Sequence, residues 1–286
     1  MDSIVVRAYA KINLGLDVLK KREDGYHEVR MIMQTVNLYD TITIKKSRGT
    51  GIDVKTNLSY LPVDHRNLVY QSAVMFREEM QIEDGLQIFV HKRIPVAAGL
   101  AGGSADAAAT LTGLNNMFGT GLSNCKLREL GIKLGADVPY CIMMGTALSE
   151  GIGELLTPLK PMPGCDILLV KPDISVSTKY VYENLDLCPS ISHPDIHHML
   201  AAIEEGSLLH LAACMDNILQ TVTIKEYPVI EEIKDKMKEL GAMTSLMSGS
   251  GPTVFGIFDH PEIADKAYSH FVNSCFGKQT FLTKPY

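Results

Sequence analysis

Three separated stretches carry groups that chemistry uses. Residues 95–108, PVAAGLAGGSADAA, place Gly99, Gly102, Gly103 and Ser104 between an apolar strand exit and a run that forms the first turns of a helix. Glycines let a backbone pass close to a ligand with its N–H groups turned inward, and a helix N-terminus adds about half a positive charge at the same place. That combination is an anion cradle, and a phosphate group is its natural guest. Near the start, Lys11 and Asn13 alternate in AYAKINL (residues 8–14), so on an extended chain they share one face. Near the end, residues 248–253 read SGSGPT, a second glycine-rich turn with hydroxyls. Asp137, in GADVP (residues 135–139), offers a carboxylate.

The glycine spacing excludes two common phosphate sites. A Walker A loop ends in Gly-Lys-Ser/Thr, and residues 95–108 contain no lysine. The dinucleotide fingerprint needs glycine at its first, third and sixth positions, which neither Gly99 nor Gly102 can begin. Structural readings stand beside the chemical ones. The loop serves equally as a tight turn, Asp137 as a solvated acid or a cap, and Lys11 as an edge-strand side chain reaching for water. Ala97, Ala98, Ala101 and Ala105 are expected in ordinary backbone regions, because alanine avoids positive φ. Ser104 is the expected N-cap of the helix, unless its hydroxyl faces a phosphate or Mg²⁺ instead.

The elements that position these groups follow from periodicity. Extended segments are expected at residues 4–9, 13–19, 26–38 and 41–46, with Asp24-Gly25 as a hairpin turn between the second and third. A helix starts at Asn67 (Val69, Ala73, Phe76, Met80), and a strand at 86–91 feeds the glycine loop. Beyond the loop, Ala108, Leu111 and Leu114 form one helix face, with Asp106 expected in the first turn. A second helix runs from its cap Ser123 to Gly135, and Pro139 is expected to hold Val138 out of the helical region, leaving Asp137 on a stiff loop. Residues 157–164, TPLKPMPG, read as the interdomain connection. After it come a strand at 166–171, helices at 178–184, 194–205, 207–220 and 229–240, strands at 242–247 and 253–258, a helix at 261–273 and a strand at 280–283. The set describes an α+β domain of split βαβ type.

A chain of 286 residues with 46% apolar and 21% charged residues builds more than one packed unit. Its net charge of −6 and short basic run Lys20-Lys21-Arg22 exclude nucleic-acid binding by general electrostatics, so local donors must hold any anion. Six cysteines lack the paired spacing of zinc or redox sites and read as reduced thiols. No uncharged stretch reaches the roughly 18 residues of a membrane span, and the N-terminus lacks a signal-length apolar region. A cytoplasmic protein is expected. His193 and His197 stand four apart, but Pro194 puts His193 outside the helix and no acid or thiol completes a zinc set.

The three stretches together resemble the motifs of the GHMP kinase superfamily, the middle one best. The run AYAKINLGLDVLKKREDGYHEV (residues 8–29), with GADVP, is similar to one branch of it. That branch phosphorylates the 2-hydroxyl of 4-diphosphocytidyl-2-C-methyl-D-erythritol in the non-mevalonate route to isoprenoid precursors. The resemblance implies an α+β two-domain fold, an N-terminal unit like domain 2 of ribosomal protein S5 (residues 1–160) and a C-terminal ferredoxin-like split βαβ unit (161–286), with the active site in the cleft between. It implies ATP and Mg²⁺ as cofactors, Asp137 as the group that orients or deprotonates the hydroxyl, and Lys11 as its cationic partner. ATP would meet Asn67, Lys92, and Pro95, Val96, Ala97, Ala98, Gly99, Leu100, Ala101, Gly102, Gly103, Ser104 and Ala105. The cytidine substrate would meet Asn13, Tyr26, His27, Ser248, Gly249 and an aromatic at Tyr182, with Tyr180 as the competing assignment. Other implied outcomes are a kinase for homoserine or mevalonate, or a non-catalytic relative that senses ATP or a sugar. The partners implied are these small molecules, without nucleic acid or membrane, for a monomer or weak homodimer.

Overall fold

Alternating apolar side chains from Ala8 to Val18, all buried, continue without a breaker through Ala10–Asn13 and build one 19-residue strand, β1 (Ser3–Lys21). The same holds for β2 (His27–Ser47), 21 residues long. The four extended segments expected from sequence are therefore two long strands, because Asp24-Gly25 is the one turn signal strong enough to interrupt the alternation. Gly25 takes φ +86° there, and Arg22 N–H donates to Tyr26 O at 2.8 Å to close the hairpin. The computed structural model describes residues 1–188, 192–276 and 278–286. Its chain forms two units, Met1–Ala10 with Leu38–Val96 and Ala101–Met144, and Lys11–Asn37 with Ala97–Leu100 and Gly145–Tyr286.

In the first unit, the end of β2 pairs antiparallel with β4 (Gly85–His91), and β3 (Ile52–Thr56) lies parallel to β4. Four helices join this sheet: α1 (Leu68–Met80), α2 (Gly102–Phe118), α3 (Asn124–Gly131) and α4 (Val138–Met143). Ile42, Ile44, Ile88 and Val90 from the strands meet Phe76, Leu111 and Leu114 from the helices in one core. The alanines of α2 keep that helix slim enough to pack against α1 and α4. Sequence reasoning missed β3 and α4. It held Val138 out of a helix, whereas Val138 and Pro139 open α4, where proline's fixed φ and missing N–H cost nothing.

In the second unit, Met31–Gln34 of β2 pair antiparallel with β5 (Thr146–Glu150), which pairs with β6 (Leu155–Pro158). The expected connection at 157–164 thus begins inside a strand. A second sheet has the order β10 (Gln279–Thr283), β7 (Asp166–Lys171), β9 (Val254–Phe258), β8 (Thr244–Met247), antiparallel throughout. α9 (Val229–Glu239) lies between β7 and β8 along the chain and α10 (Pro261–Val272) between β9 and β10, which is the ferredoxin-like split βαβ arrangement. The central strand β9 is buried at every residue, as its apolar run VFGIF requires. Between β7 and α9 run α5 (Thr178–Glu183), α6 (Ile196–Glu205), α7 (Leu208–Cys214) and α8 (Gln220–Glu226). The single helix expected at 207–220 breaks because Asp216 and Asn217 turn their side-chain oxygens onto the N–H groups of Asn217 and Leu219. No described helix is long and apolar enough to cross a membrane.

Candidate active site

Within the second unit, β1 presents Lys11 and Asn13 on one face, both buried, and the Lys11 ammonium donates to Asn13 Oδ1 at 2.7 Å. Asn13 in turn donates toward Met31 Sδ at 3.4 Å, which fixes its amide. The Lys11 backbone N–H donates to Leu100 O at 3.1 Å, so the strand that carries the ammonium is bonded to the middle of the glycine loop. Ser248 completes the cluster: its hydroxyl donates to Gly99 O at 2.9 Å, and Thr253 N–H donates to Ala98 O at 3.3 Å. Gly99 takes φ +74°, and a Cβ there would collide with the Ser248 carbonyl. Gly249, at φ +59°, leaves 3.4 Å between its missing Cβ and Asn13 Oδ1. Both glycines are therefore required, one by close approach and one by backbone conformation. Lys11, Asn13, Gly99, Ser248 and Gly249 are brought together.

The third-motif turn is held from behind by a residue the sequence reading missed. Asn217, buried, donates both amide hydrogens, to Met247 O at 2.8 Å and Gly249 O at 2.7 Å, and accepts from Leu219 N–H. Nothing in the local pattern distinguishes this asparagine from an ordinary helix breaker.

In the first unit, α2 starts at Gly102 with Ala101 as its N-cap residue, in the left-handed region at φ 54°, and no side chain caps it. Ser104 lies inside the first turn and is not the cap. Its neighbours leave the first-turn N–H groups to water or a bound anion. Ala97 (φ 50°) and Ala101 (φ 54°) also overturn the expectation of ordinary backbone at the alanines; Ala98 and Ala105 keep negative φ. Each left-handed alanine costs roughly 1–2 kcal/mol, so the tight path of the loop is imposed by its surroundings. Asn67 caps α1, accepting from Val69 N–H at 2.9 Å and donating to Pro62 O at 2.7 Å. The first residue of that helix, Leu68, lies 3.6 Å from the missing Cβ of Gly103, so Asn67 stands beside the start of α2.

Lys92, also expected to meet ATP, has its ammonium buried between two carboxylates, Asp40 and Asp106, the latter at 2.6 Å. Asp40 Oδ1 accepts the N–H of Ile94 at 2.8 Å and that of Arg93, which fixes the chain just ahead of the loop. Asn57 exchanges two hydrogen bonds with the Lys92 backbone. Two acids and one ammonium leave one charge in excess. Burial resolves it by pushing the Asp106 carboxyl up to about 8, with Asp40 adding to the rise against the pull of Lys92. Burial opposes the charge on Lys92, but Asp106 and Asp40 outweigh it and hold its pKa above the ordinary lysine value. A neutral Asp106 leaves the trio balanced, with its buried Oδ1 unpartnered. Asp106 lies beyond the first turn of α2, contrary to expectation. Asp40 was missed, although the sequence holds its signal: it occupies a core-facing position of β2 between Leu38 and Ile42.

Asp137 stands at the N-cap position of α4, half-buried, with helical backbone angles (φ −81°, ψ −14°) and no side-chain capping bond. Its own carbonyl accepts the Cys141 N–H at 3.0 Å, so the backbone is fixed while the carboxylate is spared from capping.

The remaining candidates lie at the β1–β2 hairpin and on α5, both in the second unit. His27 and Tyr182 face one another, ring centroids 5.2 Å apart at 40°. Burial, helped by the Lys21 charge, holds the His27 imidazole below its ordinary pKa. A neutral imidazole donates from one nitrogen and accepts at the other, which suits the edge of a nucleobase. Tyr26 is 59% exposed, its N–H tied to Asp24 Oδ1 at 3.0 Å. Tyr180 points elsewhere, toward Glu226 in a cavity of about 440 Å³ that Asn184 and Lys225 also line. His193 pairs with Asp17 at 2.7 Å, His197 contacts Arg30 and His198 contacts Asp195; among the described residues, no three His, Cys, Asp or Glu side chains gather around a common centre.

Residues 67–145 match the GHMP kinases N terminal domain and residues 199–277 the GHMP kinases C terminal. The chain is 56% identical, over 99% of its length and 98% of the relative's, to 4-diphosphocytidyl-2-C-methyl-D-erythritol kinase of Lachnoclostridium phytofermentans. It is similar to a crystal structure of 4-(cytidine 5′-diphospho)-2C-methyl-D-erythritol kinase, at 30% identity and a TM-score of 0.84, covering 99% of this chain and 100% of that one. A homoserine kinase from Cytophaga hutchinsonii, 21% identical over 100% of this chain and 95% of its own, shares the fold with a TM-score of 0.81. A strand that carries a buried ammonium and is bonded through its backbone to a glycine loop, with these matches along nearly the whole chain, places the protein in the GHMP kinases, among the 4-diphosphocytidyl-2-C-methyl-D-erythritol kinases.

Proposed function

We propose that this chain transfers the γ-phosphoryl group of ATP to the 2-hydroxyl of 4-diphosphocytidyl-2-C-methyl-D-erythritol in isoprenoid precursor synthesis. The observation that carries the reading is the Lys11 N–H···O=C Leu100 bond, which joins the strand of the candidate catalytic ammonium to the candidate phosphate loop. Phosphoryl transfer asks a protein for in-line positioning, neutralisation of phosphate charge and a group that takes up or orients the hydroxyl proton. The loop from Pro95 to Ala105 answers the second need with backbone N–H groups and the α2 N-terminus. Asp137 accepts the hydroxyl proton as the bond to phosphorus forms, and Lys11 stabilises the negative charge growing on that oxygen.

Asn67 and Lys92 act on the nucleotide by setting the two helix starts around it. The substrate's base is read by His27, stacked by Tyr182 and flanked by Tyr26, and Asn13, Ser248 and Gly249 hold the acceptor end. Mg²⁺ fits as an ion carried by the phosphates, because it commonly takes one or two protein oxygens and keeps the rest from phosphate and water. Ser104, in the first turn of α2, would hold it, and the ion would supply neutralisation of phosphate charge. The two family segments support residues 1–160 and 161–286 as the N-terminal and C-terminal kinase modules along the sequence. ATP chemistry suits a cytoplasmic protein, acting as a monomer or weak homodimer.

The test offers γ-labelled ATP with the cytidine conjugate, homoserine and mevalonate as acceptors. Label should pass to the first alone; transfer to either of the others instead overturns the reading. Asp137→Asn should bind ATP and the conjugate as the wild type does, with turnover lower by about 10²–10⁴-fold. Wild-type turnover in that variant would remove Asp137 from its role.

A further inference from the structure

The cytidine substrate carries a diphosphate between its base and its methylerythritol, and none of the residues assigned to it brings a positive charge to that diphosphate. Asn13, Tyr26, Tyr182, Ser248 and Gly249 are neutral, His27 is held below its ordinary pKa, and the Lys11 ammonium is bonded to Asn13 at the acceptor end. A chain of net charge −6 offers no general attraction in their place, so a local cation is needed. The cations around the base seat narrow to one. At the β1–β2 hairpin, Lys20 pairs with Glu28 at 3.0 Å and Arg22 with Asp24 at 2.9 Å; Arg30 pairs with Glu150 at 3.3 Å, and on α5 Lys179 pairs with Glu183 at 3.8 Å. Lys21 is exposed and forms no ion pair among the described residues. It is also placed beside the base reader. Lys21 is the last residue of β1 and His27 the first of β2, and the turn between them is closed by Arg22 N–H donating to Tyr26 O at 2.8 Å.

We propose that Lys21 is a substrate-binding residue whose ammonium pairs with the diphosphate of the cytidine conjugate while His27 reads its base. The inference rests on the proposed seat at His27. One ribose separates the base from the first phosphate, so that phosphate stands beside the seat, within the sweep of a flexible four-carbon stem. An ammonium is a compact point charge with three rotatable donors, which suits a group that presents several equivalent oxygens. The Lys21 charge then serves twice. It opposes a proton on His27, which keeps the imidazole in the form with one donor and one acceptor, and it draws in the anion that accompanies the base. A nucleoside without phosphates would fill the seat and gain nothing from Lys21, so the lysine selects nucleotides over nucleosides.

The experiment measures binding of cytidine and of cytidine 5′-diphosphate by calorimetry, without divalent cations and at two salt concentrations. The wild type should bind the diphosphate about fivefold or more tightly than the nucleoside, and the excess should shrink with added salt. Lys21→Gln should bring that ratio below about twofold while cytidine affinity is kept, and Lys21→Arg should restore it. Lys20→Gln, which removes a cation already paired with Glu28, should leave the ratio at its wild-type value. A ratio near one in the wild type, a wild-type ratio in Lys21→Gln, or an equal fall in Lys20→Gln overturns the inference, the last because it would reduce the effect to net charge. His27→Ala separates the two layers of the argument, and should weaken both ligands alike. If it leaves cytidine affinity unchanged, the seat falls and the role of Lys21 with it; if it weakens both ligands while Lys21→Gln keeps the ratio, only the lysine is refuted.

Discussion

Lys92 shows how a buried cation can fix the chain ahead of a loop from behind. Its ammonium is committed to Asp40 and Asp106, and the same Asp40 oxygen that fixes Arg93 and Ile94 sets the path into the loop. The trio also carries a pH signature. Asp106 keeps its proton in the folded chain and gives it up on unfolding, so between the ordinary carboxylate value and about 8 the folded state binds more protons. Stability should decline as pH rises through that window, by no more than about 1.4 kcal/mol per pH unit. Asp106→Asn keeps an acceptor for Lys92 and removes the titration, so its melting temperature measured against pH should be flatter than the wild type's between about pH 5 and about pH 8; parallel curves would show that Asp106 is ionised in the fold. Of these three residues the sequence reading singled out only Lys92 as a site candidate: Asp40 carries a local signal in its core-facing position on β2 that went unread, and Asp106 acquires its meaning from a partner 14 positions away.

At the scale of elements, the glycine loop is a path forced by its neighbours on both sides. Ala101 opens α2 in the left-handed region, and Gly99 has its missing side chain filled by the Ser248 carbonyl. Gly99→Ala therefore meets both a positive φ and a backbone atom that cannot move aside. The variant should lose stability by about 1–3 kcal/mol and raise the KM for ATP more than that for the cytidine substrate, read by thermal unfolding and steady-state kinetics. Equal effects on the two KM values would mean that the loop does not face ATP. Helices with strong caps, such as α1 behind Asn67 and α3 behind Ser123, were legible in the sequence because their start signals are local. So were the four strands of the second sheet, each an apolar run bounded by turn residues. The reading failed where tertiary pairing decides the element: β3, β5 and β6 are short strands fixed by their neighbours, and α4 hides behind a proline that looked like a terminator. The left-handed alanines were illegible for the same reason, since no local pattern asks for them.

For the molecule as a whole, contiguity along the chain and contiguity in space part company. The second unit takes Lys11–Asn37 from near the N-terminus and builds them into its interior: Leu16 pairs with Asn217, Val36 with Pro285, and Asn37 N–H donates to Lys284 O at 2.9 Å. Met31–Gln34 complete the sheet with β5, whose backbone groups otherwise lose that ladder. Sequence reading takes the proline-rich stretch at 157–164 as the change of module, whereas the chain passes into the second unit at Gly145; nor can it see that strands passing earlier in the chain belong to the later unit, because hydrophobic alternation reports a buried face and not what buries it. A fragment of residues 161–286 alone retains the four-stranded sheet and its two helices but lacks these partners, leaving Leu16 and Val36 contacts and several backbone groups exposed to water. It should be expressed as a partly folded species with low amide protection around Asn217 and Lys284, and residues 1–160 supplied as a separate chain should restore both protection and kinase activity. Native-like exchange protection in the isolated fragment would mean that the hairpin is dispensable to the second unit, and that the interleaving of the two units is incidental to folding.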